Sequence, residues 1–483
     1  MTRPSMPNEY PGETFDALAP DLVSDELLDA LAGAGVEVLT DSRTRADHGR
    51  DWWPLSIGQV ARGEVPHWPG VVVRPRTPAD VATVLQLAAR HRRSVTAQGG
   101  RSGVVGGAVA IDGAIAMDLT ALNKIIGIDE VAGTVEVEAG VFGPDLEAVL
   151  RPLGWTVGHF PQSFELATVG GWLACRGAGQ YSNRYGKIED IVRGLTVVLA
   201  SGAVVSLGGR APRQAVGPDL VQLFVGCEGA LGVITSATLC LQRLPAREQR
   251  AAYGFSSLSE GLEACRRIMQ RGARPAVLRL YDVTESKRIF ELETNVLVVL
   301  DEGDELLVGP QMEIVLAECA AGTPLDVGCV QTWLDHRNDV GALAPLWEHG
   351  VVVDTIEVAG SWSILALMEQ RVCAAVRELP ETLMVSVHQS HAYLDGACLY
   401  FTFAGRPEHD ATAYYRQAWD VATRTVLAMG GALSHHHGVG RNRARFVAEA
   451  LGSAFDVLVT LKVALDPDNL LNPGVLGIGG DPW

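Results

Sequence analysis

The sequence predicts an α/β (α+β) chain of two domains, and three observations carry that expectation. Short strands and helices alternate between residues 70 and 244, whereas longer helices alternate with antiparallel-looking strands from 245 to about 430. The length of 483 residues at 47% hydrophobic content also allows two to four cores at roughly 150 residues per domain. The expected division is 1–244 for a first domain with an N-terminal helical extension, 245–430 for a second, and 431–483 for a tail that returns to the first.

The extension is a helix over residues 25–32, followed by a polar stretch bearing Trp52, Trp53 and Trp68. A strand at 71–73 leads into a helix over 78–90. Thr77 stands where an N-cap is needed, Pro78 takes the first helical position, where its missing N–H costs nothing, and Asp80 lies in the first turn. Val81, Val84, Leu85 and Ala88 then recur on one face. Residues 94–97, 114–119 and 134–138 read as short strands, 143–150 as a helix, and 195–200 and 204–205 as further strands. The second domain is expected to hold helices at 261–271 and 363–378 and strands at 296–300 and 397–403.

Composition excludes several classes. With 39 Lys+Arg against 57 Asp+Glu, the net charge of −18 leaves no footprint for nucleic acid or a polybasic membrane patch. No run approaches the roughly 18 apolar residues of a membrane span, and the start has no apolar signal core, so a cytoplasmic location is expected. The eight cysteines are irregularly spaced without a CxxC pair, which reads as reduced, mostly buried thiols.

The 53 glycines follow no period, but three loops concentrate them. QGGRSGVVGG (98–107) lies between strands, and its positions without Cβ let backbone N–H groups converge on an anion. Its spacing is not G-x-G-x-x-G, and strands follow it in place of a helix. TVGGWLACRGAG (168–179) and GCEGALGVIT (226–235) repeat the feature. Together they suggest an extended ligand carrying a pyrophosphate, gripped mainly by main chain.

Three polar segments are candidates for chemistry. SHHHGVG (434–440) sets three imidazoles, suited to proton transfer at neutral pH, beside Arg441, or is a surface loop. In HAYLDGACLYFTF (391–403), a strand from Ala397 puts Cys398 and Tyr400 on one face and Leu399 and Phe401 on the other. Tyr400 is then a donor at a cavity, a base if its pKa is lowered, or a core tyrosine. In PAVLRLYD (275–282), Arg279 sits among apolar neighbours and needs a partner, either an anionic ligand or a carboxylate of the chain.

The glycine loops, with PQSFELATVGGW (161–172) and NRYGKIEDIV (183–192), resemble the FAD-binding domain of the vanillyl-alcohol-oxidase and p-cresol-methylhydroxylase (PCMH) superfamily over residues 70–244 and again in the tail. The resemblance implies a two-domain PCMH-type flavoprotein with a cap (substrate) domain. It also implies FAD contacts from Gln98, Gly99, Gly100, Arg101, Ser102, Gly103, Gln162, Ser163, Thr168, Arg176, Glu228, Gly229, Gly232, Val233 and Ile234. Some members bond a first-loop histidine to the flavin. Arg101 stands at the matching position here, so non-covalent FAD is expected, with Arg101 suited to a phosphate.

SHHHGVG, GACLYF, PAVLRLYD and PQSFELATVGGW are similar to the alkyldihydroxyacetonephosphate synthases, FAD enzymes that exchange a fatty acyl group for a fatty alcohol. By that resemblance Tyr400 is the active-site tyrosine, His435, His436 and His437 form an essential cluster, and Arg279 is required for activity. The synthases' substrate-contacting arginine falls on Leu343 in gap-free register, with Arg337 nearby, and the stretch from 279 to 350 is shorter than theirs. The tail LDPDNLLNPGVLG (465–477) resembles the D-2-hydroxyacid dehydrogenases, including the D-lactate and glycolate enzymes. Their metal-holding members use histidines in a segment similar to 391–400 and an acid before HG. Tyr400 and His436 stand there, so no metal is expected.

The leading functional expectation is an FAD-dependent oxidoreductase that oxidises an alcohol or 2-hydroxyacid by hydride transfer to flavin. Tyr400 or one of His435 to His437 takes the hydroxyl proton, and Arg279 or Arg441 holds an anionic group. The alternatives are synthase-like, redox-neutral ether formation and, third, a flavin-binding protein without turnover. The expected partner is a small anionic or hydroxylated substrate, with no nucleic acid and no transmembrane segment; a homodimer is allowed.

Overall fold

A computed structural model describes Met6, residues 19–209 and residues 211–480. Two sheets form the first half. One is four-stranded, in the order Glu37–Leu39, Val71–Arg74, Ile115–Asp118, Val95–Gln98, with its last three strands parallel. The other is antiparallel and five-stranded, in the order Ile125–Asp129, Thr134–Glu138, Val233–Cys240, Val192–Val198, Val204–Gly208. The helix Pro78–Arg90 has the expected cap, with Thr77 and Asp80 completing a reciprocal capping box. Its Val81, Val84, Leu85 and Ala88 are fully buried against the first sheet. The Trp-bearing stretch, read as merely polar, contains the helices Ser42–His48 and Pro54–Ala61 and packs Trp53 into the core of the second half.

The second half is a seven-stranded antiparallel sheet whose last five strands run Asn295–Gly303, Val277–Tyr281, Thr382–Ala392, Gly396–Gly405 and, at the edge, Val352–Ser361. Its register explains how one sheet serves both core and site. Side chains alternate faces along each strand, and cross-strand partners share a face. Phe401 therefore stands with Ile356 and Val387 in the largest core, against the helices Leu258–Gln270, Trp362–Arg377 and Ala411–Ala428. Tyr400 stands on the opposite face, in a row with Tyr281, His388 and Glu357. Fully burying a Leu or Phe stabilises the fold by about 1.5–3 kcal/mol, so the apolar face fixes the sheet and the polar row is carried with it.

The tail returns to the first sheet. Leu471 bridges Val95 in parallel, Val95 N–H donates to Leu470 O at 2.7 Å, and Asn472 N–H donates back to Val95 O at 2.9 Å. All eight cysteines are free, five of them buried. Among the described residues no helix is long and apolar enough to cross a membrane.

Candidate active site

A cavity of about 660 Å³ lies where the three glycine loops face the polar row of the seven-stranded sheet. The glycines divide into two groups. A Cβ on Gly100 would stand 1.6 Å from Leu166 O, and one on Gly99 would stand 2.2 Å from Thr168 Oγ1. Those two are small because the loops pack on one another. At Gly103, Gly107, Gly171, Gly177 and Gly229 a Cβ would meet no protein atom closer than 3.4 Å, so their backbone is bare towards the cavity that all five line.

The cavity also holds buried polar atoms without partners: both ring nitrogens of His159, Nε1 of Trp172 and Oε1 of Gln98. Such atoms are costly unless a ligand meets them. Arg101, Arg176 and Glu228 adopt left-handed backbone at φ 54°, 56° and 50°, conformations that cost about 1–3 kcal/mol and persist where the surroundings enforce them. Bare backbone, orphaned donors and acceptors, and a cavity of this size fit FAD. The loops 98–107, 168–177 and 228–234 would hold it.

Glu228 ties the third loop to the histidine segment. Its carboxyl accepts Val439 N–H at 2.5 Å and Gly440 N–H at 2.7 Å. Burial nevertheless pushes it up to about 7. Glu357, fully buried, anchors the same segment from the cap sheet. It accepts from Ser434 Oγ at 2.8 Å, His436 N at 3.1 Å and His437 N at 2.6 Å, and pairs with Arg443. Burial raises its pKa, but Arg443, His437 and His436 outweigh burial and hold the carboxyl well below the usual carboxylate range.

Between these anchors the three imidazoles are set edge against face, with ring centres 5.0 Å apart for His435 and His436 and 4.5 Å for His436 and His437. His436 and His437 line the cavity, and His435 lies behind them. His435 Nδ1 meets His436 Nδ1 at 2.8 Å, and its Nε2 meets the Tyr393 hydroxyl at 2.5 Å. Burial pushes His435 and His437 down to about 4 and His436 well below its ordinary value, so all three are neutral near pH 7.

Tyr400 lines the cavity, stacks on His388 at 4.8 Å and receives a hydrogen bond from Thr355 Oγ1 at 3.0 Å. Burial raises its pKa, so the condition for Tyr400 to act as a base is not met; its own O–H is a donor. His388 Nδ1 bonds Glu285 at 2.9 Å, and Glu285 also accepts from Ser386 and Thr402. Arg279 faces the same space with Nε buried and unpartnered, its guanidinium 5.6 Å from the Trp333 ring.

The structure brings together most residues chosen from the sequence. Gln98, Gly99, Gly100, Arg101, Ser102 and Gly103 line the cavity, as do Gln162, Ser163 and Thr168, Glu228 and Gly229, and Gly232 to Ile234. Arg441 does not: it lies behind the first loop, its Nη2 3.5 Å from Val109 O, and burial pushes its pKa down to about 10. Arg176 points away and is half-exposed beside Glu189 at 3.5 Å. Sequence reasoning missed His159, Glu285, Glu357, His388, His391 and Tyr393. The available signal was a pair of acids, Asp354 and Glu357, in the otherwise apolar strand VVVDTIEVAG and the alternation of VHQSHA opposite CLYF. His391, His435 and His436 bring ring nitrogens within 4.8 Å of one another, but Ser182, Tyr393 and the His435–His436 bond already engage four of the six nitrogens.

A family model described as an FAD binding domain matches residues 69–208, and one described as the C-terminal domain of FAD linked oxidases matches residues 244–476. The chain is 32% identical over 432 residues to the FAD-linked oxidoreductase YgcU of Escherichia coli (strain K12), covering 84% of this chain and 89% of that one. It is 27% identical to the alkyldihydroxyacetonephosphate synthase of Trypanosoma brucei brucei, covering 96% and 82%. It is 26% identical to the glycolate oxidase subunit GlcD of Bacillus subtilis (strain 168), covering 84% and 88%. A solved alkyldihydroxyacetonephosphate synthase superposes with a TM-score of 0.80 at 25% identity over 94% of this chain and 87% of that one.

Proposed function

The chain belongs to the FAD-linked oxidases, and on that premise we propose that it oxidises the hydroxyl carbon of a small anionic alcohol or 2-hydroxyacid. The observation that carries this reading is the meeting of an unpartnered Arg279 with Tyr400 and neutral His436 on one cavity wall, opposite the bare glycine loops.

FAD, when bound, supplies the hydride acceptor. Arg279 holds the substrate's carboxylate or phosphate, for which its planar guanidinium is suited. Tyr400, whose oxygen already accepts from Thr355, donates its O–H to the substrate oxygen. His436 has Nδ1 engaged with His435, so its Nε2 takes the hydroxyl proton. Positioned proton transfer of this kind contributes about 10²–10⁴-fold in rate.

The test is anaerobic mixing of the yellow protein with 2-hydroxyacids, alcohols and acyl-dihydroxyacetone phosphate. Bleaching that an electron acceptor reverses supports oxidation. Tyr400→Phe and His436→Ala should slow that bleaching while the bound-flavin spectrum persists; unaffected bleaching refutes the assignment. Acid precipitation should release all FAD, because Arg101 cannot form a flavin bond. A second reading, redox-neutral alkyl transfer, is favoured by the convergence of Tyr400, His436, His437 and Arg279 on the cavity. A flavin adduct resolved by fatty alcohol would establish it in place of oxidation.

A further inference from the structure

Oxidising a hydroxyl carbon releases one proton for each hydride taken by the flavin, and His436 is a poor place for that proton to stay. The ring lies deep beside two further imidazoles and Arg279, all of which disfavour its charged form. A continuous hydrogen-bonded path leads away from it. His436 Nδ1 meets His435 Nδ1 at 2.8 Å, and His435 Nε2 meets the Tyr393 hydroxyl at 2.5 Å. Tyr393 is partly exposed and is followed by the exposed Leu394 and Asp395. We propose that His435 and Tyr393 form a relay that carries the substrate's hydroxyl proton from His436 to the protein surface.

Two arrangements of hydrogens satisfy both bonds. In the first, His436 Nδ1–H donates to His435 Nδ1, and His435 Nε2–H donates to the Tyr393 oxygen. In the second, the Tyr393 hydroxyl donates to His435 Nε2, and His435 Nδ1–H donates to His436 Nδ1. One concerted shift converts the first into the second. The substrate C–H leaves as hydride with its electron pair to FAD, and the O–H electron pair closes the carbonyl. The O–H proton adds to His436 Nε2, each relay hydrogen moves one bond outward, and the former phenolic proton of Tyr393 enters water. No member of the relay carries a net charge afterwards.

The surroundings suit transfer more than storage. His391 stacks on His435 at 4.7 Å with its own Nδ1 held by Ser182 Oγ at 2.8 Å, so it fixes the ring plane without entering the path. Burial raises the Tyr393 pKa, which keeps the phenol protonated between transfers. Lys187, paired with Asp190 at 2.7 Å, lies 5.0 Å from the Tyr393 ring on the outer side. The fold does not depend on the Tyr393 hydroxyl: the turn is held by Tyr393 N–H to Gly396 O at 2.8 Å and Trp362 Nε1–H to Tyr393 O at 3.1 Å.

The relay rests on the reading of His436 as proton acceptor, and the experiment separates the two. In weakly buffered anaerobic stopped flow with a pH dye, Tyr393→Phe should keep the bound-flavin spectrum and substrate affinity. It should release its proton about tenfold or more slowly, and millimolar imidazole should restore the rate. Release within about twofold of the wild type overturns the relay. Proton NMR of the resting holoprotein should show a far-downfield resonance from the short Tyr393–His435 bond that Tyr393→Phe abolishes. Absence of that resonance from the wild type, or its persistence in the variant, also overturns the relay. If no alcohol or hydroxyacid bleaches the wild type, the oxidation reading falls and the relay falls with it, whereas bleaching with unchanged proton release in Tyr393→Phe overturns the relay alone.

Discussion

Glu357 and Arg443 form an ion pair in which neither side chain is exposed, directly beneath the histidine segment. The pair does more than balance charge, because the same carboxylate accepts the backbone N–H groups of His436 and His437. Removing one partner of a buried pair costs about 3–5 kcal/mol, since the other is left uncompensated. Glu357→Ala should therefore lower stability in urea by that amount. Glu357→Gln should be milder but should still slow flavin reduction although every imidazole is intact. Wild-type reduction kinetics in Glu357→Gln would show that the loop does not need this anchor.

Glu228 gives a pH signature. Its folded carboxyl titrates at about 7, whereas an unfolded glutamate titrates near ~4.3, so the folded state holds this proton more tightly. The stability gained is complete below about pH 4.3 and is lost as pH rises through about 7. Relative to Glu228→Gln, the wild type should lose stability steadily between about pH 5 and 8. Denaturant midpoints taken at equal flavin occupancy would check this, and parallel curves would contradict it.

The two groups of glycines separate folding from cofactor binding. Gly100→Ala forces a Cβ against Leu166 O and should destabilise the protein even without flavin. Gly171→Ala meets nothing nearer than Thr168 Oγ1 at 3.4 Å, so thermal unfolding of the FAD-free protein should be nearly unchanged. Its added methyl fills cofactor space, and FAD titration should show weaker binding. Equal effects of both substitutions on the FAD-free protein would remove the distinction.

Arg337 is a second cation on the cavity wall, six residues before Leu343. Both residues line the cavity, and Arg337 is fixed by donating to Gln180 Oε1 at 3.0 Å while its carbonyl accepts Gln180 Nε2–H at 2.8 Å. A hydrogen bond to a charged group contributes about 1.5–3 kcal/mol. Arg279→Ala should therefore weaken binding of an anionic substrate by roughly 10–100-fold, and Arg337→Ala should do so by less. Uncharged alcohols should be unaffected in both variants. Equilibrium titration of the variants with charged and neutral substrates provides the measurement.

Most of the framework was legible because it rests on local rules. Thr77, Pro78 and Asp80 announce a helix start, and alternation in ACLYF separates Tyr400 from Leu399 and Phe401 without reference to the rest of the fold. The errors concern direction in loops. Arg441 and Arg176 lie within motifs that reach the cavity, but φ of 56° at Arg176 and the bond from Arg441 N–H to Val105 O turn their side chains elsewhere. Glu285 and His388 were missed because their partnership is made across more than 100 residues of chain. Only the strand register brings His388 beside Tyr400.

The tail strand has a consequence for the order of events in the cell. Asn472 donates to Gly107 O at 2.9 Å and to Glu228 O at 2.8 Å, so it joins two glycine loops that are otherwise 121 residues apart in sequence. Both walls of the cradle are thus synthesised before the residue that joins them. Flavin capture then waits on this strand: chains truncated before Asp466 should leave FAD in solution, and only a chain that carries Asn472 should become yellow.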